Sequence, residues 1–190
     1  GYLSPVKYFS EPSDWSQLRI NSTGADFTEE SIEKFAGKRI ERIVTAIRYS
    51  ETKRKRTLTF CSTIGQATHV LEHVRQQGTA IAMVTGKTPK KEREELIEQF
   101  KAGKFKHMLN VGVFTTGFDA PVLDTIILGR PTMSLALYYQ MVGRGIRLDP
   151  DDPSKLLHVY DLVGVVERLG RVETIRVQRE AHGFRDEVWS

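Results

Sequence analysis

Apolar and polar positions alternate in blocks along this chain, and the blocks change period several times. Over 28–49, Ile32, Phe35, Ile40, Ile43, Val44 and Ile47 fall near helical spacing behind Thr28, a residue suited to capping, so a helix interrupted near Gly37 is predicted. Beyond it, short apolar runs take turns with amphipathic segments. Strands are predicted over 57–61, 79–84, 107–111, 125–128 and 156–161, and helices over 65–76, 90–101 and 134–143. The order is β-α-β-α-β-β-α-β. Strands that are apolar throughout, separated by helices with one apolar face, predict an α/β fold: a parallel sheet with helices on both faces and right-handed crossovers. In open sheets of this kind functional groups lie beyond the carboxyl ends of the strands, and they are expected there in this chain. Residues 1–27, with Pro5, Pro12, Gly24 and the apolar stretches 6–9 and 18–20, read as an extended lead-in. The tail over 171–190 holds one strand-like stretch, 172–177, and then charged residues with Trp189, which suggests a peripheral position.

Composition narrows the class. The chain has 190 residues and is 39% hydrophobic, enough for one sizeable core. Lys and Arg number 28 against 24 acidic residues, and the resulting +4 is compatible with nucleic acid without demanding it. The single cysteine, Cys61, excludes an intrachain disulfide or a cysteine-based zinc cluster within these residues; it points to a reducing compartment and so to a cytoplasmic protein. No apolar run approaches the roughly 20 residues needed to cross a bilayer, so no membrane partner is expected. The chain opens on Gly1 and not on methionine, which reads as a piece of a longer protein. His69, His73, His107, His158 and His182 are scattered without carboxylate or cysteine partners at ligand spacing, and no metal site on protein ligands is expected.

Candidate chemistry concentrates in a few segments. In Gln140-Met141-Val142-Gly143-Arg144-Gly145-Ile146-Arg147, positions 140, 144 and 147 are predicted to share one helix face. Two guanidinium forks one turn apart suit the charge that spreads over a transferring γ-phosphate; an exposed basic helix end is the plainer reading. The pairs Ser62-Thr63, Thr85-Gly86 and Asn110-Val111 each close a predicted strand. Their hydroxyls, amides and main-chain donors suit a sugar-phosphate backbone, and ordinary turns or caps are the alternative. In Thr115-Thr116-Gly117-Phe118-Asp119-Ala120-Pro121 a glycine stands near a carboxylate able to accept from a ribose hydroxyl, although Asp before Ala-Pro is also a common turn. The basic run Lys53-Arg54-Lys55-Arg56 reads as a solvated loop unless it borders a nucleic-acid groove. Gly86-Lys87-Thr88 mimics the end of a P-loop, but the first glycine of that pattern would fall on Ile81, inside a strand, so the match is rejected.

Candidate arginine fingers without a nucleotide cradle are what the second RecA-like domain of a superfamily 2 helicase shows, and the chain resembles that family through most of its length. The segment 57–63 resembles motif IV; Gly86, Arg93 and Phe100 resemble the pattern that follows it; 110–121 resembles motif V, 124–128 the motif Va strand, and 140–147 the motif VI pattern Q-x-x-G-R-x-x-R. The segments 115–121, 140–147 and 160–170 look closest to RadD-like DNA repair helicases and to type I or III restriction-enzyme helicase subunits. Asn110 stands where RNA-directed DEAD-box relatives usually have threonine, and Gln140 where they have histidine, which leans toward DNA over RNA.

The resemblance implies an ATP-dependent DNA helicase or translocase, of DNA repair by the RadD-like branch, whose first RecA-like domain precedes these residues in the parent chain. Arg144 and Arg147 then reach the γ-phosphate of ATP, Gln140 orients them, Gly117 and Asp119 meet the ribose, and Ser62, Thr63, Thr85, Gly86, Asn110 and Val111 touch the tracked strand. ATP and Mg2+ are shared with the N-terminal RecA-like domain, and with neither Walker A nor Walker B motif this chain alone is expected to be inactive. The implied division is a linking segment and helix over 1–50, the RecA-like domain over 51–170 and a peripheral tail over 171–190. A nucleic-acid-binding module without ATPase function, or an RNA-directed helicase domain, is the alternative.

Overall fold

The computed structural model describes residues 3–113, 120–174, 176–179 and 186–189. After strand β1 (Val6–Ser10) come two helices, α1 (Glu29–Gly37) and α2 (Ile40–Lys53). Thr28 caps α1 by accepting from the Ser31 amide, and the chain restarts as α2 just past Gly37, so the predicted interruption is real. There follow β2 (Thr57–Phe60), α3 (Ile64–Gln76), β3 (Ile81–Thr85), α4 (Lys90–Lys101), β4 (His107–Val111), β5 (Thr125–Leu128), α5 (Leu135–Gly143), β6 (Leu157–Asp161) and α6 (Val165–Leu169).

Six strands form one parallel sheet in the order β1-β6-β5-β2-β4-β3. Alternate residues serve opposite faces, as strand geometry requires. Leu58, Phe60, Met108, Ile126 and Leu128 pack with Phe100 of α4 and with Tyr138 and Met141 of α5. Leu109 and Ile127 pack on the other side with Ile43 and Ile47 of α2 and with Val70 and Val74 of α3. β2 and β5 are buried along their whole length, including the threonines Thr57, Thr59 and Thr125, as strands covered on both faces are. Each large side chain so enclosed contributes about 1.5–3 kcal/mol relative to an exposed one.

The lead-in differs from expectation: it supplies β1, an edge strand parallel to β6, with Val6 opposite Leu157 and Ser10 opposite Asp161. Asp161, fully buried, accepts from Ser10 Oγ at 2.9 Å and from the amides of Val163 and Val166 at 3.1 and 2.7 Å, so one carboxylate joins β1, β6 and the start of α6. The strand-like stretch 172–177 divides into a 3-10 turn, Val172–Thr174, and the start of β7 (Arg176–Arg179), which pairs antiparallel with β8 (Asp186–Trp189) in a separate sheet. The turn is held on β1: Tyr8 Oη donates to Glu173 Oε2 at 2.7 Å and accepts from the Val172 amide at 3.2 Å.

Candidate functional site

The residues singled out in the sequence fall at two opposite ends of the sheet. Strands of four or five residues separate those ends by about 13–17 Å.

The amino end carries the arginines. α5 is launched by Ser134, whose Oγ accepts from the Leu137 amide at 3.2 Å, and its start is tied to the lead-in through Asp26, which accepts from Thr132 Oγ1 at 3.0 Å and from the Met133 amide at 3.1 Å. The helix buries Tyr138, Met141 and Val142 and leaves Gln140 exposed. It stops at Gly143; Arg144 is its cap, and the Gly145 amide closes the last turn on the Val142 carbonyl at 3.0 Å. Arg147 is therefore not on the face shared by Gln140 and Arg144, contrary to the helical spacing. It pairs as an antiparallel bridge with Leu3, just ahead of β1, while the Ser4 amide donates to the Ile146 carbonyl at 2.7 Å and Ser4 Oγ to the Arg147 carbonyl at 3.0 Å.

The physical reason is Gly145. A Cβ built there would stand 2.5 Å from Leu157 Cδ1 and 3.0 Å from Ile126 Cδ1, so the chain lies directly on the sheet at this point and leaves the helix. The two guanidinium groups still share one neighbourhood. Arg144 is half-buried, and burial together with the nearby Arg147 cation holds its pKa below the ordinary arginine value. The expectation that all functional groups lie at the carboxyl ends of the strands is thus corrected for this pair, because α5 runs back along the sheet before the arginines are reached. Gly117 and Asp119 lie outside the described residues.

The carboxyl end holds the strand-end groups, most of them shaping turns. Ser62 Oγ donates to the Gly129 carbonyl at 3.0 Å and the Ser62 amide to Gln66 Oε1 at 2.8 Å; Thr63 caps α3 by accepting from the Gln66 amide at 3.1 Å. Thr85 Oγ1 accepts from the Lys87 amide at 3.1 Å, next to exposed Gly86. Asn110 is buried, and both of its amide atoms engage the main chain of Val113, at 2.9 and 3.2 Å. Its side chain therefore fixes the turn after Val111. Ser62, Thr63 and Gly65 line a cleft of about 540 Å³ together with Lys87 and Arg130, against Glu29 and Glu33 of α1. The first turn of α3, which carries no acidic residue, opens on this cleft, so its backbone amides share the cleft with the cations of Lys87 and Arg130 and with the carboxylates of Glu29 and Glu33. Arg130 is paired with Asp26 at 3.7 Å. Sequence reasoning missed Lys87 and Arg130 as cleft residues. Lys87 was weighed only as a P-loop lysine; Arg130 stands two residues beyond a strand end, a position that could have marked it.

The basic run divides: Lys53 and Lys55 are exposed, as the solvated reading expects, whereas Arg54 and Arg56 are half-buried, and none of the four lines this cleft. At the amino end, Arg54 donates to Thr125 Oγ1 and to the carbonyls of Asp124 and Leu156, at 2.7–2.9 Å; Arg56 Nε donates to the Phe100 carbonyl at 2.6 Å; Lys55 pairs with Asp152 at 2.7 Å. These cations clamp loops. Cys61 is buried, its thiol pushed up to about 12 by desolvation, which makes it a core residue. No helix among the described residues is long and apolar enough to cross a membrane.

Known proteins agree with this architecture. Residues 28–149 match the family profile described as "Helicase conserved C-terminal domain". A 51.5 kDa protein of a Lactococcus phage is 32% identical over 146 residues, 76% of this chain and 32% of its own length. The putative ATP-dependent helicase IRC3 of Saccharomyces cerevisiae is 30% identical over 169 residues, 86% of this chain and 24% of its own. The endonuclease subunit of the type I restriction enzyme EcoKI of Escherichia coli is 31% identical over 137 residues, 66% of this chain and 12% of its own. Among solved structures, a fragment of a putative HsdR subunit of a type I restriction enzyme from Vibrio vulnificus superposes with a TM-score of 0.70 at 19% identity, over 90% of this chain and 34% of that one, a likeness of fold. The chain spans a third or less of the length of these relatives. With the parallel six-stranded sheet and the profile match over most of its length, the chain belongs to the helicase conserved C-terminal domain family and is a second RecA-like domain of the superfamily 2 type.

Proposed function

We propose that this chain is the second motor domain of an ATP-dependent DNA helicase or translocase that acts in DNA repair. In this reading Arg144 and Arg147 stabilise the charge on the γ-phosphate, Gln140 orients them, and Gly117 and Asp119 meet the ribose of ATP. The first RecA-like domain of the parent chain holds the rest of the nucleotide with Mg2+. Thr63, Thr85, Gly86 and Val111 contact the phosphates of the tracked strand, joined by Lys87 and Arg130, while Ser62, whose two donors are taken by Gly129 and Gln66, holds the turn that presents Thr63. Asn110 contributes by holding the turn that presents the main chain of Val111 to Val113.

One observation carries the reading: a single sheet bears a pair of neighbouring guanidinium groups at its amino end and a cation- and amide-lined cleft at its carboxyl end. A pair of guanidinium forks suits an anionic phosphoryl group, and here they stand three residues apart, Arg144 as the cap of α5 and Arg147 on the bridge to Leu3. ATP binding that favours closed domains, followed by release on hydrolysis, would then change the grip on the strand once per cycle. The relatives named as an ATP-dependent helicase and as a restriction endonuclease subunit support a motor domain, and Asn110 and Gln140, which depart from the DEAD-box pattern, support DNA. ATP hydrolysis by the full-length protein, with single-stranded DNA or single-stranded RNA of matched length as stimulant, tests this. Stimulation by DNA over RNA is expected. Stimulation by RNA alone would redirect the reading to an RNA helicase, and strand binding with no hydrolysis would leave a binding module.

A further inference from the structure

Lys155 is one of the most enclosed cations in the molecule, 4% exposed just before β6. Its Nζ donates to two main-chain carbonyls from separate segments, Pro121 at 2.6 Å and Arg147 at 2.5 Å. Burial pulls its pKa down, and the carboxylates of Asp149, Asp124 and Asp152 act in the opposite direction. Asp149 and Asp124 are themselves buried, and Asp124 also accepts from the amides of Lys55 and Arg56 at 3.0 and 3.1 Å, so the countercharge is fixed to the strand framework.

Enclosing an ammonium group is costly unless it is paired and hydrogen-bonded. A neutral hydroxyl would tie one loop at less cost. Two carbonyls that face a common point repel each other, however, and a shared cation converts that repulsion into two charge-assisted bonds. Ser4 Oγ is a second donor to the same Arg147 carbonyl, at 3.0 Å. Three segments, before β1, after Ala120 and before β6, thus converge on the backbone of a residue whose own side chain is exposed.

We propose that Lys155 is a positioning residue for ATP hydrolysis: it locks the main chain of Arg147 to that of Pro121 and so holds in place the segment whose side chain serves the γ-phosphate. The proposal rests on the function assigned above to Arg147. A misplacement of about 1 Å in such a group is enough to cost up to about a hundredfold in rate.

The test is a double-mutant cycle in the full-length protein, with kcat and KM for ATP measured at saturating single-stranded DNA for wild type, Lys155→Met, Arg147→Ala and the double variant. Thermal melting and DNA affinity are followed in parallel. Lys155→Met is expected to lower kcat by about tenfold or more with DNA affinity unchanged, and to add nothing in the Arg147→Ala background, since it acts through that arginine. An equal loss in both backgrounds would show general loosening and overturn the proposal, as would an unchanged kcat in Lys155→Met. If Arg147→Ala itself keeps full turnover, the function assigned to Arg147 fails, and the proposal with it. Should Lys155→Met not fold, Ser4→Ala takes its place in the same cycle: a severalfold loss of kcat that vanishes in the Arg147→Ala background supports the lock, and additive or absent loss refutes it.

Discussion

Gly145 lies against Leu157 so closely that a Cβ on the glycine would stand 2.5 Å from Leu157 Cδ1. That contact ends α5, drops the chain onto the sheet and turns Arg147 toward Leu3 and away from the helix axis. Gly145→Ala is expected to destabilise the domain by about 1–3 kcal/mol, the usual cost of overpacking. It should also lower ATP turnover more than strand affinity, because the methyl group displaces the segment between the two arginines. Trimming the opposing side chain with Leu157→Ala in the same protein should restore part of the turnover, measured as kcat.

The cleft at the carboxyl end makes a separable prediction. Lys87 lines it with Ser62, Thr63 and Arg130, at the end of the sheet opposite Arg144 and Arg147. Lys87→Ala should weaken single-strand binding to a similar degree for every sequence and reduce the slope of log affinity against log salt by about one, as loss of one phosphate contact does. Titration at several salt concentrations checks this; an unchanged slope would remove Lys87 from the track.

His107, at the first position of β4, predicts a pH dependence. It is 1% exposed, and neither ring nitrogen has a hydrogen-bond partner among the described residues. Burial pulls its pKa from 6.5 down to about 4. A base whose pKa is lower when folded binds fewer protons in the native state, so its stability contribution is present above about pH 6.5 and is lost as pH falls toward about 4. Linkage over that window gives a loss of about 2 kcal/mol between pH 7 and pH 5. His107→Leu should flatten this dependence and raise stability at pH 5, read from chemical denaturation of the 190-residue chain at both values. A slope unchanged in the variant would assign the effect to other groups.

Much of this structure was legible in local pattern. α4, β4 and β5 stand at their predicted bounds, because a buried strand or an amphipathic helix writes its period into adjacent residues. β1 was not legible: Val6–Ser10 is a half-exposed edge strand following a proline, and its partner β6 lies about 150 residues away, so nothing local marks the pairing. The same holds for Arg147. Spacing alone continues the helix through it, and only the packing of Gly145 on Ile126 and Leu157 ends the helix first. The clamping role of Arg54 and Arg56 depends on carbonyls from distant segments, which composition does not reveal.

The opposed placement of the two groups of residues was hidden for a related reason. The candidate groups that follow β2, β3 and β4 directly stand at the carboxyl strand ends, where the rule for open sheets places ligands. It does not extend to residues carried back along the sheet by a crossover helix, as Arg144 is by α5. Under the proposed function, the separation means that strand contacts and nucleotide contacts can be removed independently.

That independence gives the most direct measurement: strand-stimulated ATP hydrolysis by the full-length protein carrying Arg144→Ala or Arg147→Ala, at matched occupancy of single-stranded DNA. Loss of an arginine that stabilises transferring phosphoryl charge is worth on the order of 10³ or more in rate. Turnover is predicted to collapse by that order in either variant while DNA affinity stays within about twofold of wild type. Turnover that persists at the wild-type rate in both variants would contradict the assignment of the arginine pair to the γ-phosphate.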